Sequence, residues 1–396
     1  MPSPSIKLGV LIGSGVSLCS GAPSTEEITQ LVRSGEDVHC YNEGEYFISR
    51  KAPARHLERA CLDRILLLLD FLRQCSDDFF QEHDKQRAVK YEDLYYLVAQ
   101  LDDAVTEYEN PALSHLLKDV QKRFIEPSLP GGAPWQSDRL LSETRAYIKG
   151  ILDSLLFPLQ PRTGHLDSLV RAAKDSSVTR LDLFTLNHDL LIEHTLQREG
   201  IQYSEGFGPA QGEWRFWNHA LLAHGKRVRL YKLHGSVNWY ALDFGLGTKT
   251  LFGICTRDDH DINHARGPFG RRVRLIGERP EMLVGTFNKM LEYTMGIYAD
   301  LFCLFRNALR SLDRLLISGY SCGDKAINAC ISEWARASAG RRILIVAPDA
   351  TGYGQTARGA IRRMLRDCAG QITLRDAKFA DLSWQNIRDW ATARDC

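Results

Sequence analysis

The most informative absence in this sequence of 396 residues is that of any Cys-x-x-Cys pair. Its ten cysteines are scattered along the chain, whereas zinc ribbons and zinc fingers hold their metal with cysteines paired at that spacing. The pattern therefore argues against a structural zinc site. Scattered cysteines are typical of buried, reduced thiols, and we expect a cytoplasmic protein.

Long apolar runs and an excess of one charge are also lacking. No stretch approaches the roughly 20 apolar residues that a membrane-spanning helix needs, and no apolar segment as long as that of a signal peptide precedes Gly13. The formal net charge is +1, so no overall field attracts nucleic acid or a membrane surface. We expect neither as a direct partner.

One local cluster of positive charge stands out against this balance. The helical pattern of residues 356–368 carries four arginines, Arg358, Arg362, Arg363 and Arg366. They could contact phosphate or an acidic partner, but a run of charge on a helix is more often a solvated face, and we favour that interpretation.

Three apolar segments with the character of buried strands each end in a short polar segment. The pairs are residues 9–12 before Gly13, Ser14 and Gly15, residues 181–186 before Asn187, His188 and Asp189, and residues 228–233 before His234, Gly235 and Ser236. In open α/β sheets, ligands bind beyond the carboxyl ends of the strands. The pattern predicts an α/β fold with a Rossmann-like parallel sheet, in which the three polar segments share one pocket.

The first of these segments continues into a predicted helix. Ser24 and Glu27 have the spacing of a capping box, so we expect a helix to begin near Thr25. The order strand, glycine loop, helix suits a phosphate, because glycine lets the backbone come close and the first N–H groups of a helix attract an anion. The alternative is a tight turn that binds nothing.

Residues 55–158 differ in character from the rest of the chain. Leucines and aromatic residues recur there at helical spacing, without glycine turns or clusters of polar residues. We predict an all-helical insertion at 55–158 that divides a Rossmann domain into residues 1–54 and 159–396. Its apolar stripes are interpreted as core or subunit contacts.

The side chains of Asn187 and His234 are the candidates for chemistry. An amide both donates and accepts hydrogen bonds without adding charge, and an imidazole with a pKa near 6.5 can accept a proton at neutral pH. The alternatives are that Asn187 caps a helix and that His234 is a buried, satisfied histidine. His188 is the rival base, but we expect it to point away, because side chains alternate at a strand end.

A second acidic and histidine-rich group lies in the glycine-rich stretch 245–285. It comprises Asp258, Asp259, His260, Asp261 and His264. Such residues could bind a metal, but no partner set at helix or hairpin spacing accompanies them. We favour a solvated loop and predict no metal site.

Four segments in this order resemble a known family. They are residues 13–24, 185–193, 232–239 and 318–328. Together they resemble the sirtuins, and more closely the zinc-less, sirtuin-like NAD hydrolases of bacterial anti-phage defence. The resemblance implies that Asn187 and His234 are catalytic. It also implies contacts to NAD, the substrate, from Gly13, Ser14, Gly15, Ser17, Asp189, Gly235, Ser236, Gly319, Ser321 and Asp324.

Two departures from the deacylating sirtuins bear on the activity. Those enzymes carry two Cys-x-x-Cys pairs after the catalytic histidine, where this chain has only Cys255, so no zinc is expected. Their Asp-Phe-Arg after the glycine motif is replaced by Ser24, Thr25 and Glu26. Both departures favour plain cleavage of NAD, and the resemblance implies an NAD+ glycohydrolase that depletes NAD in anti-phage defence. The alternatives are a protein deacylase, an ADP-ribosyltransferase, or a non-catalytic sensor of NAD or ADP-ribose. The resemblance further implies a homo-oligomer and a possible partner such as a HerA-type ATPase.

Overall fold

The strands and helices were located in a computed structural model. It describes residues 5–40, 44–49, 59–83, 87–106, 111–125, 137–162, 164–243, 250–257, 262–270, 273–276, 280–350, 352–353 and 359–393. The strands, in chain order, are β1 (Ile6–Ile12), β2 (Val38–Cys40), β3 (Tyr46–Ile48), β4 (Val178–Thr185), β5 (Tyr203–Ser204), β6 (Phe207–Gln211), β7 (Trp214–Trp217), β8 (Val228–Lys232), β9 (Trp239–Asp243), β10 (Leu251–Cys255), β11 (Arg274–Leu275), β12 (Arg314–Ser318), β13 (Arg342–Ala347) and β14 (Ile372–Asp376).

The described α-helices are named in the same way. They are α1 (Thr25–Ser34), α2 (Arg59–Glu82), α3 (Tyr91–Thr106), α4 (Ser114–Val120), α5 (Ser137–Leu156), α6 (Asp167–Lys174), α7 (Leu191–Arg198), α8 (His219–Ala223), α9 (Lys289–Glu292), α10 (Gly296–Arg310), α11 (Lys325–Arg336), α12 (Gly359–Asp367) and α13 (Trp384–Thr392). Within these residues, no helix is both long enough and apolar enough to cross a membrane.

Seven strands form one sheet in the order β14-β13-β12-β1-β4-β8-β5, and each neighbouring pair is parallel. The chain runs from β1 outward through β4 to β8 on one side and returns to β12 on the other. The order therefore reverses between β1 and β12, and such a switch point is where α/β sheets open a crevice for ligands. The predicted Rossmann-like parallel sheet is confirmed.

Both faces of the sheet are covered, because alternate residues of each strand point to opposite sides. On one face, Leu11 of β1 and Ile317 of β12 pack in an apolar cluster with α10, α11 and α12. On the other face, Val10 and Leu316 pack in a cluster with α6, α7 and α13. The result is the three-layer arrangement that a parallel sheet requires to bury both of its faces.

Helices α2 to α5 lie in the chain between β1 and β4, which are neighbours in the sheet. Their leucines and aromatic residues form a third apolar cluster. That cluster also contains four residues from the region of the polar turns, namely Leu190, Val237, Met282 and Val284. The helices thus pack against the carboxyl edge of the sheet. The division of the chain into two domains, with boundaries at residues 54/55 and 158/159, stays a prediction.

A second sheet was not predicted from the sequence. Five short strands between residues 207 and 275 pair in the order β11-β9-β10-β7-β6, antiparallel throughout. They surround a small apolar cluster that includes the buried Trp214 and Leu242. These short segments show little strict alternation of apolar and polar residues, so the sequence pattern does not indicate a second sheet.

The predicted start of α1 is confirmed, whereas the predicted start of α10 is wrong. Ser24 and Glu27 form the expected capping box: Glu27 N–H donates to Ser24 Oγ at 3.2 Å, and Ser24 N–H donates to Glu27 Oε2 at 2.7 Å. The apolar spacing of residues 282–316 predicts a long amphipathic helix there. The observed helix α10 is shorter, because it begins at Gly296, which has φ of 52°. Residues 285–295 instead form a turn-rich segment that contains α9.

Candidate active site

Two glycine turns meet at the switch point, one after β1 and one after β12. Gly13 N–H donates to Ser318 O at 3.0 Å, and Gly15 N–H donates to Gly319 O at 3.1 Å. A Cβ on Gly13 would lie 2.4 Å from Gly319 O, and Gly319 itself has φ of 65°. Both positions therefore need glycine because the backbones touch. The chain then forms a 3-10 helix at Ser14–Ser20 before α1 begins, so the glycine loop does not lead directly into the N-terminus of α1.

Asn187 occupies the buried floor beneath the first turn. Its Nδ2 donates to Ser17 Oγ at 2.8 Å and to Gly13 O at 3.2 Å, and Ser17 Oγ donates in turn to Asp189 Oδ2 at 2.7 Å. Asn187 is not a helix cap, since Asp189 Oδ1 accepts the N–H of Leu191 at the start of α7. Asn187 Oδ1 is buried and has no hydrogen-bond partner among the described residues.

The turns that carry Asn187 and His234 are hydrogen-bonded to each other. Leu233 N–H donates to Thr185 O at 2.9 Å, and Val237 N–H donates to His188 O at 3.1 Å. Because β4 and β8 are adjacent parallel strands, their carboxyl ends lie side by side. The sequence prediction that these segments share one edge of the sheet is therefore confirmed.

His234 is held by an acidic residue from the start of α11. Its Nε2 lies 3.1 Å from Asp324 Oδ2, and Tyr293 Oη donates to the same oxygen at 2.9 Å. Burial lowers the pKa of His234 below its ordinary value, Lys289 lowers it further, and Asp324 opposes both effects. Burial would raise the pKa of Asp324, but its contacts with His234, the Ile327 N–H and Lys289 lower it to about 2.

His188 does not point away, contrary to the expectation from strand alternation. Its ring centroid lies 6.2 Å from that of His234, because β4 ends at Thr185 and the alternation of a strand does not extend to residue 188. Burial holds the pKa of His188 well below its ordinary value, and the proximity of His234, Lys289 and Lys232 lowers it further. His188 Nδ1 is buried without a partner in the described part of the chain.

A buried ion pair under the site was missed in the sequence. Lys232 Nζ lies 2.7 Å from Glu193 Oε1, with side-chain exposures of 1% and 7%. Lys232 also donates to Asp189 O, and so ties the end of β8 to the turn after β4. Two features of the sequence could have indicated this ion pair: a lysine within an apolar strand, and a glutamate on the buried face of α7.

A turn-rich segment, residues 285–295, covers this side of the site. Its inner face places Tyr293 against Asp324 and buries Lys289. Lys289 Nζ lies 3.1 Å from Glu92 Oε1 of α3. Among the described ion pairs, this one joins the segment to the helical region.

The residues predicted to contact NAD fall into three groups. Those at the exposed rim are Ser14, Gly15 and Ser321, with Gly13 and Gly319 at the glycine contact below them. Those in the buried hydrogen-bonded floor are Ser17, Asp189 and Asp324. Gly235 and Ser236 instead pack against another segment: Gly235 bridges to Met282, and Ser236 N–H donates to Glu281 O.

The acidic and histidine-rich group and the basic helix both lie partly outside the residues that the structure describes. Residues 258–261 of the acidic and histidine-rich group and Arg358 of the basic helix are outside the described residues. Within the described ranges, no group of three or more His, Cys, Asp or Glu side chains is close enough to hold a metal ion.

This arrangement can position a polar molecule with a reactive centre. The glycines of the rim admit close approach of a ligand to backbone, and exposed Ser14 and Ser321 add hydroxyl groups. The floor offers the amide oxygen of Asn187, to which no described residue is hydrogen-bonded, and the His234–Asp324 pair can accept and return a proton.

Comparison with known proteins relates part of the chain to one family. Residues 182–364 match the SIR2-like domain. This stretch contains Asn187, His234 and Asp324, and the match supports the resemblance to sirtuins over these residues. No curated protein matches the chain.

Solved structures of sirtuins are similar to the chain over nearly its whole length, at low identity. A complex of a SIR2 homologue with NAD is 13% identical, covers 98% of this chain and 91% of its own, and has a TM-score of 0.40. Sir2Tm bound to a propionylated peptide is 11% identical, covers 98% and 94%, and has a TM-score of 0.37.

Proposed function

We propose that this protein is an NAD+ glycohydrolase, which cleaves the bond between nicotinamide and ribose to give nicotinamide and ADP-ribose. The observation that carries the proposal is the pair of hydrogen-bonded turns at the switch point. One turn carries Asn187, whose Oδ1 has no hydrogen-bond partner among the residues that the structure describes, and the other carries His234, which contacts Asp324. The match of residues 182–364 to the SIR2-like domain supports the choice of a dinucleotide as the substrate.

The proposed reaction uses these groups as follows. The glycosidic C–N bond breaks, and nicotinamide leaves neutral with the electron pair, so that the ribose gains oxocarbenium character. Asn187 Oδ1 accepts a hydrogen bond from the attacking water or from a ribose hydroxyl, which orients it. His234 accepts the proton of the water as its oxygen bonds to the anomeric carbon, and later releases that proton to solvent.

The rim and the floor have different roles in this proposal. The exposed backbone at Ser14 and Gly15 binds the pyrophosphate, because no side chain prevents close approach at Gly15. The network of Asn187, Ser17 and Asp189 keeps the amide fixed, so little reorganisation is needed as charge develops.

A nicotinamide-release assay tests the proposal. We expect Asn187→Ala and His234→Ala each to lose turnover by about 10²-fold or more, which is the scale of one positioned proton-transfer or electrostatic group. Exposed residues of the same types provide matched controls, namely Asn307→Ala and His219→Ala, which should keep wild-type turnover. Circular dichroism checks that all four variants are folded.

The products distinguish the alternatives. Free ADP-ribose supports hydrolysis, whereas acetyl-ADP-ribose or ADP-ribosylated protein would identify a deacylase or a transferase and overturn the proposal. Uptake of NAD in calorimetry with no turnover, even when the neighbouring gene's product is present, would identify a sensor instead.

The biological setting is proposed from the sequence resemblance. We place the protein in the cytoplasm as a homo-oligomer that depletes NAD during anti-phage defence, held inactive until a partner such as a HerA-type ATPase releases it. Native mass spectrometry measures the number of chains in the assembly. The nicotinamide-release assay, repeated with the neighbouring gene's product, measures activation by the partner.

A further inference from the structure

Both carboxylate oxygens of Asp324 contact other groups of the protein. Its Oδ1 accepts the N–H groups of Ala326 and Ile327, at 2.9 and 3.0 Å, and so caps α11. Its Oδ2 contacts Tyr293 Oη at 2.9 Å and His234 Nε2 at 3.1 Å. The residue is buried. Both oxygens are therefore occupied by protein groups, which leaves little capacity for contacting NAD directly.

These contacts determine where the protons lie. The two backbone N–H groups are donors, and the Tyr293 phenol keeps its proton because burial and Asp324 raise its pKa well above the ordinary value. A carboxylate surrounded by donors stays ionised and accepts from each of them. His234 must then donate through Nε2–H, and in a neutral imidazole the other nitrogen, Nδ1, carries the lone pair.

The backbone around Asp324 is also fixed. Tyr320 Oη accepts the Asp324 N–H at 3.2 Å and lies 2.7 Å from Asn328 Oδ1, while Asn328 Nδ2 donates to Cys322 O at 2.7 Å. The carboxylate can therefore hold the imidazole in one orientation as well as in one tautomer.

We infer that Asp324 is a positioning residue: it locks His234 in the Nε2–H tautomer and thereby makes Nδ1 the proton acceptor of the reaction. The inference rests on the proposed NAD+ glycohydrolase activity. When Nδ1 takes a proton from water, the ring becomes an imidazolium with both nitrogens protonated, and the Asp324 carboxylate stabilises its positive charge. The electron pair of the broken O–H bond stays on the attacking oxygen, which bonds to the anomeric carbon of the ribose.

Asp324→Asn separates this role from that of a helix cap. Asparagine caps helices about as well as aspartate, so its Oδ1 can keep the two backbone N–H groups. Its Nδ2 then occupies the position of Oδ2 and donates towards His234. The ring must accept at Nε2 and moves its own proton to Nδ1, which leaves no lone pair at the proposed acceptor.

Nitrogen-15 NMR of the full-length protein with labelled histidines identifies the tautomer of His234, and the measurement does not require an active enzyme. The His234 signals are those that disappear in His234→Gln. We expect Nε2–H in the wild type and Nδ1–H in Asp324→Asn. Tyr293→Phe is the matched control, because it removes the other donor to Oδ2 and leaves His234 in place; its tautomer should be that of the wild type. An unchanged tautomer in Asp324→Asn, or Nδ1–H in the wild type, would overturn the inference.

The kinetic measurement links the tautomer to the reaction. In Asp324→Asn we expect kcat for nicotinamide release to fall by about 10²–10⁴-fold, the usual contribution of a positioned base, with KM unchanged. A rise in KM at constant kcat would instead make Asp324 a binding residue and overturn its positioning role. If the wild type shows Nε2–H and cleaves no NAD under any condition, the proposed function fails, while the NMR result for Asp324 stands on its own.

Discussion

The helical region at residues 59–156 and the carboxyl edge of the parallel sheet bury polar groups in different ways. In the helical region, buried Asp93 pairs with Arg87, Asp102 pairs with Arg145, and Glu143 accepts from Tyr46. At the sheet edge, equally buried Asn187 and His188 each leave an atom without a partner among the described residues.

The difference separates stability from reactivity. A buried polar atom without a hydrogen bond costs about 1–3 kcal/mol, so an arrangement that served only the fold would not be expected to keep several of them together. The helical region contributes apolar packing, and its buried Asp93, Asp102 and Glu143 are each satisfied by a partner side chain. The sheet edge keeps unsatisfied groups where the proposed reaction needs an acceptor for hydrogen bonds or protons.

Breaking the Lys232–Glu193 pair should have the largest effect on stability. Lys232→Met leaves Glu193 buried without its cation, and removal of one partner of a buried pair costs about 3–5 kcal/mol. It also releases Asp189 O, so turnover should fall as well. Chemical denaturation measures the free energy of unfolding.

The exposed pair Lys174–Glu199, with side-chain exposures of 53% and 32%, is the matched control for Lys232→Met. Lys174→Met should change stability little, because water and salt screen an exposed pair. Adding Glu193→Leu to Lys232→Met should restore much of the loss, since the stranded charge is then removed. Equal losses in Lys232→Met and Lys174→Met would contradict the account of the buried pair.

A cavity in the helical core should lower stability and leave the chemistry intact. Leu152 is fully buried in α5, and Leu152→Ala should reduce the free energy of unfolding by about 3 kcal/mol. Leu67 of α2 is 61% exposed, and Leu67→Ala should stay within about 0.5 kcal/mol of the wild type. Turnover per folded molecule should match the wild type in both variants. A loss of turnover in folded Leu152→Ala would show that the two regions are not separable.

The smallest effect expected is on the pH dependence of stability. The pKa of His188 is lowered by burial and by His234, Lys289, Lys232 and Lys149, so the folded protein keeps the ring neutral while the unfolded chain protonates it below about pH 6.5. The free energy of unfolding should therefore fall as the pH drops below that value, by up to about 1.4 kcal/mol per pH unit for this ring. His188→Gln should show a shallower fall between pH 7 and pH 5. If the free energy of unfolding fell equally with pH in the wild type and in His188→Gln, the pKa of His188 would have to be the same in the folded and unfolded states.

The sheet and most of its helices could be predicted because they depend on local pattern. Largely apolar segments placed β1, β4 and β8 close to their observed positions, since strands buried on both faces are rich in apolar residues. The antiparallel sheet escaped prediction because its strands have two to five residues and take their stability from packing around Trp214. The early start predicted for α10 followed from apolar spacing that does not register the positive φ of Gly285 and Gly296.

The sequence could predict that the polar turns after β4 and β8 lie side by side, but it could not predict the hydrogen bonds within the candidate site. Polar residues at strand ends identified Asn187 and His234, because neighbouring parallel strands bring their carboxyl ends together. The partners of those residues come from distant segments: Ser17 is 170 positions from Asn187, and Asp324 is 90 positions from His234. No periodicity or spacing in the chain encodes such contacts, and the orientation of His188 depends on where β4 ends.

The helical core that includes Leu190, Val237, Met282 and Val284 has a practical consequence. A shortened chain without residues 59–156 would expose these four side chains to water, next to the turns that carry Asp189 and Ser236. The Rossmann part produced alone would therefore be prone to aggregate, and the turns of its candidate active site would be less well ordered. Inactivity of such a fragment would be no evidence against catalysis by the intact chain.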